Sequence, residues 1–104
     1  MADSPRLRQL QEFLAETPDD PELRYAVAME HLSLGDDEPA VRAFHELIAA
    51  AHFVPSYLML GQTLIRLNRE DEAKDVLRQG VAAAQQTGNV HALGEIQGLL
   101  DSLE

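Results

Sequence analysis

Apolar residues recur along this chain at three- and four-residue steps, interrupted at short intervals by proline, glycine and asparagine. That spacing places side chains on one face of a helix and predicts helices rather than strands. Ser4-Pro5 joins an N-cap residue to proline at the first helical position, opening a helix that Thr17-Pro18 closes. Within it Leu7, Leu10, Phe13 and Leu14 share a face. Asp20-Pro21 repeats the opening signal, and Gly35 ends the second helix in a position suited to left-handed backbone. Asp36, Asp37 and Glu38 begin a third, with Pro39 still in its permissive first turn and Ala40, Phe44, Leu47 and Ile48 as its stripe. Pro55 begins a fourth that ends near Asn68. A fifth runs from Glu70-Asp71-Glu72 to Gly88. Asn89 caps a sixth, with Leu93, Ile96, Leu99, Leu100 and Leu103 on one side. The connections are short enough that neighbouring helices must pack antiparallel.

Composition agrees with this pattern. Leu (16) and Ala (14) far outnumber Val (six) and Ile (three), there is no Trp, and aromatics make up 5% of the chain. Leu and Ala carry low helix cost, whereas strands favour β-branched and aromatic residues. The expected fold class is all-α, with a core of close-packed helices.

Sliding the chain on itself by 33 residues brings related positions together. Val27-Ala28 falls on Leu60-Gly61, Leu32 on Ile65, Leu34-Gly35 on Leu67-Asn68, Ala40 on Ala73, Phe44 on Leu77, and Ile48 on Val81. Asp37-Glu38 falls on Glu70-Asp71. In the second copy Tyr57, Leu60, Gly61 and Leu64 follow an aromatic-x-x-Leu-Gly-x-x-aromatic opening, with leucine in the last slot. Ala73 and Leu77 follow the Ala-x-x-x-aromatic of a second helix, while about Gln85 stands where a closing proline is expected. The first copy is looser: Arg24 replaces the aromatic, Val27-Ala28 replaces Leu-Gly, and His31 replaces the tyrosine. Ala40 and Phe44 fit, and proline arrives late at Pro55.

Two helices in about 34 residues with these small and large positions resemble the tetratricopeptide repeat (TPR) family. The resemblance covers roughly Pro5 to Leu103, and implies a small bacterial-type TPR protein. The expected architecture is an α-solenoid of antiparallel helix pairs in a right-handed superhelix of about six helices, residues 1–104 forming one domain. Its parts would be an N-terminal half-unit over 5–18, a first unit over 21–52, a second over 54–87, and a capping helix over 89–103. Ala28 and Gly61 would be small because the paired helix crosses there, with Ala40 and Ala73 as the reciprocal small residues and Ala73 opposite Gly61. Phe44 and Leu77 would fill the space between successive hairpins. No such hairpin can bury both faces alone, so stacking is required.

Charge and chemistry narrow the function. Eight Lys+Arg against 18 Asp+Glu give a net charge of −10, which disfavours nucleic acid and anionic membrane surfaces as partners. The absence of cysteine excludes disulfides, Cys-ligated zinc and thiol catalysis, and suits a reducing compartment. The first 20 residues lack the apolar core of a signal peptide, and no apolar run approaches bilayer length, so the expected location is cytoplasmic. Among the histidines, His31, His45, His52 and His91 form no i,i+4 pair. His45 and His52 could share a helix face with Glu46, but two histidines and one carboxylate fall short of a metal site. His31, in an interhelical slot, is expected to be a packed, hydrogen-bonded imidazole. The acidic clusters sit at helix N-termini, where the helix dipole favours them. No catalytic residues, metal or cofactor are expected, and nothing points to an enzyme.

What the resemblance does imply is binding. In TPR proteins the first helix of each unit lines a concave groove that receives an extended peptide or a helix. Carried over by register, the groove residues are Glu22, Tyr25, Met29 and Leu32, then Leu58, Gln62, Ile65 and Arg66, then His91 and Glu95. Their fate could instead be core, covered by the last helix, because periodicity does not separate the two. With Arg66 the one basic residue in the set and no asparagine, a clamp for C-terminal carboxylates is not expected. The expected partner is a protein or peptide of basic or amphipathic character. The alternative is self-assembly into a homo-oligomer through the terminal half-units, since Leu93, Leu99, Leu100 and Leu103 make the last helix more apolar than a cap requires.

Overall fold

The computed structural model describes residues 3–104; Met1 and Ala2, the start of the expected 1–104 domain, lie outside the described residues. Six helices appear in order: α1 (Pro5–Glu16), α2 (Pro21–Ser33), α3 (Asp37–Ala51), α4 (Val54–Arg66), α5 (Glu70–Thr87) and α6 (Val90–Ser102). There is no strand among the described residues. The helices gather into two compact units, Met1–Ala51 and His52–Glu104.

Local chemistry sets the helix ends. Ser4 caps α1, its hydroxyl accepting from the Leu7 amide at 2.9 Å, and Asp20 caps α2 by accepting from Glu22 and Leu23. Asn89 caps α6 through the Ala92 amide. Helices α2, α4 and α5 end alike: the Asp36, Arg69 and Asn89 amides reach back to the carbonyls of His31, Leu64 and Ala84. This turn needs a left-handed residue. Gly35 and Gly88 supply it at φ 78° and 70°, and Asn68 at φ 61°. Asparagine tolerates that region better than other side chains, which explains how it replaces the glycine of the first repeat. At the α5–α6 junction the left-handed Gly88 is followed at once by the cap Asn89, with no residue between.

In the first unit, α2 is the centre and both α1 and α3 pack on it. Ala28, Ala40, Phe44 and Leu47 are fully enclosed. Phe44 meets the Tyr25 ring, with centroids 5.9 Å apart and planes tilted by 58°, so its aromatic partner lies within its own hairpin. Ser4 also ties α1 to α2, donating to Glu30 Oε2 at 2.9 Å beside an Arg6–Glu30 ion pair. Of the expected α1 face only Leu7 is buried, while Phe13 is 47% exposed. Helix α1 packs on α2 alone, and one neighbour covers only part of a four-residue stripe.

In the second unit α4, α5 and α6 all touch one another. Leu60, Leu64, Leu77, Ala73 and Ile96 are enclosed. The close crossing falls one turn from its expected place. A Cβ on Gly61 would lie 2.6 Å from Leu77 Cδ2, so Leu77 rather than Ala73 stands opposite Gly61, inside its own hairpin. The reason is volume: Ala73 is too short to reach the space that the missing Cβ leaves. A second close approach was not anticipated. A Cβ on Gly80 would lie 2.7 Å from Tyr57 Cβ and 3.3 Å from Ile96 Cδ1, so α5 meets α4 and α6 at one glycine.

These contacts predict opposite outcomes for two glycine substitutions. Gly80→Ala forces backbone movement, because Tyr57 Cβ cannot swing away, and should destabilise by about 1–3 kcal/mol. Gly94→Ala, in α6 with nothing within 4 Å, should stabilise by about 0.5–1 kcal/mol through helix propensity. Urea unfolding of both variants checks the pair.

Candidate functional site

The residues expected to bind a partner occupy surface in each unit. On α2, Glu22 is exposed and Tyr25, Met29 and Leu32 are half-buried, whereas Val27, Ala28 and His31 are buried. The spacing explains the split: 22, 25, 29 and 32 follow one helical stripe. On α4, Leu58 and Ile65 are half-buried and Gln62 and Arg66 exposed, while Tyr57, Leu60, Gly61 and Leu64 point into the core. On α6, His91 and Glu95 are exposed and pair with each other, Nε2 to Oε1 at 3.2 Å. The structure thus groups four of these residues on α2, and the rest on α4 and α6, which are in contact. None is buried in the described chain.

Burial raises the pKa of the Tyr25 phenol, and it does the same for Tyr57. Both stay neutral donors at ordinary pH, so Tyr25 offers an apolar ring and a hydroxyl rather than a charge. The Tyr57 hydroxyl sits 3.4 Å from His52 Nδ1, at the outer limit of a hydrogen bond. No group of three or more metal-ligating side chains converges among the described residues. His45 and His52 are both exposed, and His52 stands after the end of α3, at φ 49°, so they do not share the helix face their spacing suggested.

One feature escaped sequence reasoning. In the first unit α1 and α3 flank α2 with a cleft of about 350 Å³ between them. Gln11 and Leu14 line it from α1, Val27 and His31 from α2, Arg42 and Glu46 from α3, with Arg24 at one end. His31 is buried as expected, but its Nδ1 has no hydrogen-bond partner among the described residues. The expected hydrogen-bonded imidazole is therefore corrected: the helices around the ring bring no polar group to that nitrogen. The signal was available in the repeat, where Arg24 and His31 occupy the slots that Tyr57 and Leu64 fill in the second unit.

A family model for the tetratricopeptide repeat matches residues 1–91. The chain belongs to the TPR family. The crystal structure of a tetratricopeptide repeat domain protein from Salinibacter ruber is 35% identical, with a TM-score of 0.77 over 81% of this chain and 94% of that one. A solution structure of a tetratricopeptide repeat domain protein from the same organism is 36% identical, with a TM-score of 0.80 over 84% of this chain and 89% of that one. A solution structure of a Bordetella parapertussis protein shares the fold, with a TM-score of 0.80 at 21% identity, covering 98% of this chain and 89% of that one. No curated protein matches. The TPR is a non-catalytic repeat fold that generally serves as a protein–protein interaction module. No helix among the described residues is long and apolar enough to cross a membrane.

The scattered histidines lead to a prediction. Calorimetric titration of the chain with zinc should show no stoichiometric site of sub-micromolar affinity, because tight zinc sites need three or four converging ligands. A tight site lost in His45→Ala or His52→Ala would reverse that expectation.

Proposed function

We propose that this TPR chain is a non-enzymatic adapter that binds a partner's peptide or helix on the α2 face of its first unit and the α4–α6 face of its second. The observation that carries the reading is the partial exposure of Tyr25, Met29, Leu32, Leu58 and Ile65 on helices whose opposite sides are fully buried. Half-exposed apolar side chains rimmed by Glu22, Gln62, Arg66, His91 and Glu95 suit a recognition surface. Methionine adapts to varied partners, and a half-buried tyrosine supplies contact area at low entropic cost. The apolar centre would carry most of the affinity and the charged rim would select orientation. With a net charge of −10, a basic or amphipathic segment is the matching ligand, and its affinity falls as salt rises. A cysteine-free acidic chain of this kind fits a cytoplasmic setting, with residues 1–104 acting as one TPR domain.

A second reading rests on α6. Val90 is 79% exposed at its start, and Leu93, Leu99 and Leu103 are incompletely covered. Self-association through that helix would bury them, and light scattering would then give a mass that rises with concentration.

The binding experiment begins with partners captured from the source cell. Tyr25→Ala and Leu58→Ala should each weaken the captured partner by about 2 kcal/mol. Arg78→Ala, on the exposed side of α5 beside Asp75 and Glu104, should leave affinity within a factor of two or so. A larger loss in Arg78→Ala than in the other two, with all three folded, would move the partner to the opposite side.

A further inference from the structure

We propose that the cleft between α1 and α3 is a carboxylate-binding pocket, separate from the partner-binding faces and independent of that reading. Its origin is a departure from the repeat. At these two slots the second unit places Tyr57 and Leu64, both buried, and they fill the interior. The first unit places Arg24 and His31 there instead. The unfilled space remains as a cavity of about 350 Å³, at the small end of the range that holds ligands.

The groups around it are donors. Arg24 gives its Nε–H to the Pro18 carbonyl at 3.0 Å. That bond holds the guanidinium in place and leaves its Nη groups unspent among the described residues. Arg42 stands across from it on α3, exposed, with no ion pair to Glu46 or any other described residue. Two arginines against the single Glu46 make a locally cationic cleft on a chain of net charge −10. Planar guanidinium groups recognise carboxylates by paired hydrogen bonds.

His31 supplies the second, independent observation. Its ring is more than nine-tenths buried, lines the cleft, and carries an Nδ1 without a partner. Buried polar atoms in folded proteins nearly always have partners, so a bare one marks a function or a missing ligand. A buried lone pair costs less than a buried N–H without an acceptor, which favours the neutral ring protonated at Nε2. The ring then offers an Nε2–H donor on its cleft side. A carboxylate seated there would accept from His31 and from the guanidinium groups of Arg24 and Arg42, with Leu14 and Val27 against its aliphatic part. A phosphate would need more positive charge than two arginines beside a glutamate provide.

The carboxylate could belong to a free organic acid or to an acidic side chain of a bound polypeptide, and two probes separate these sources. The ¹⁵N-labelled full chain is titrated with succinate, with N-acetyl-aspartic acid amide, and with succinamide as the uncharged control. Saturable shifts at residues 11–14, 24–31 and 39–46 with either acid, and none with succinamide, are expected. Tighter binding of succinate indicates a free acid, and tighter binding of the capped aspartate a side chain. Arg42→Gln, at an exposed position, should stay folded and bind at least fivefold more weakly. His31→Tyr restores the bulk of the family's aromatic slot, and should abolish the shifts while the thermal midpoint holds or rises. Arg78→Gln should bind as the natural chain does. Shifts that grow linearly without saturation, or unchanged affinity in Arg42→Gln, would overturn the proposal.

Discussion

The structure depends on how closely helices approach where a side chain is missing or minimal. In the second unit α5 reaches α4 and α6 at Gly80, and Leu77 settles into the space left by Gly61. In the first, fully enclosed Ala28 and Ala40 take the equivalent places beside Phe44. With so few aromatic residues, this chain builds its core from many short contacts rather than from a few large rings. Dispersion falls away within a fraction of an ångström, so cohesion relies on backbone proximity. That constraint also decides which residues become surface: a helix that presses its small residues inward turns Tyr25, Met29, Leu58 and Ile65 toward its flanks.

Much of this was legible in the residues because local rules and the repeat agreed. Ser4, Asp20 and Asn89 cap helices as their chemistry demands, and Gly35 and Gly88 adopt left-handed backbone where a helix must stop. Less legible was the identity of each partner in the core. A period of three to four residues defines an apolar stripe but not the neighbour that covers it, so Phe13 remains half-exposed and Leu77 takes the place assigned to Ala73. The binding faces were harder still. Tyr25 and Leu58 are partly covered, and an amphipathic pattern reads the same for a groove and for a core.

The two repeats show how a shared frame accommodates unlike interiors. Leu64 and His31 occupy matching positions, and each carbonyl accepts the amide five residues on. The backbone turn is therefore preserved while the side chain changes from apolar to polar. Backbone geometry at that point is fixed by Gly35 or Asn68, downstream of the exchanged residue, which frees position 31 from any duty in ending the helix.

The abutting caps at Gly88 and Asn89 bear on how the chain could lengthen. Between α1 and α2 the segment from Thr17 to Asp20 has exposed residues that an inserted stretch could extend while leaving both helix ends intact. Between α5 and α6 any insertion must separate a left-handed terminator from the cap that follows it, and breaks the amide bond from Asn89 to Ala84. Grafted loops, tags or natural length variation should therefore accumulate at the first junction and be excluded from the last.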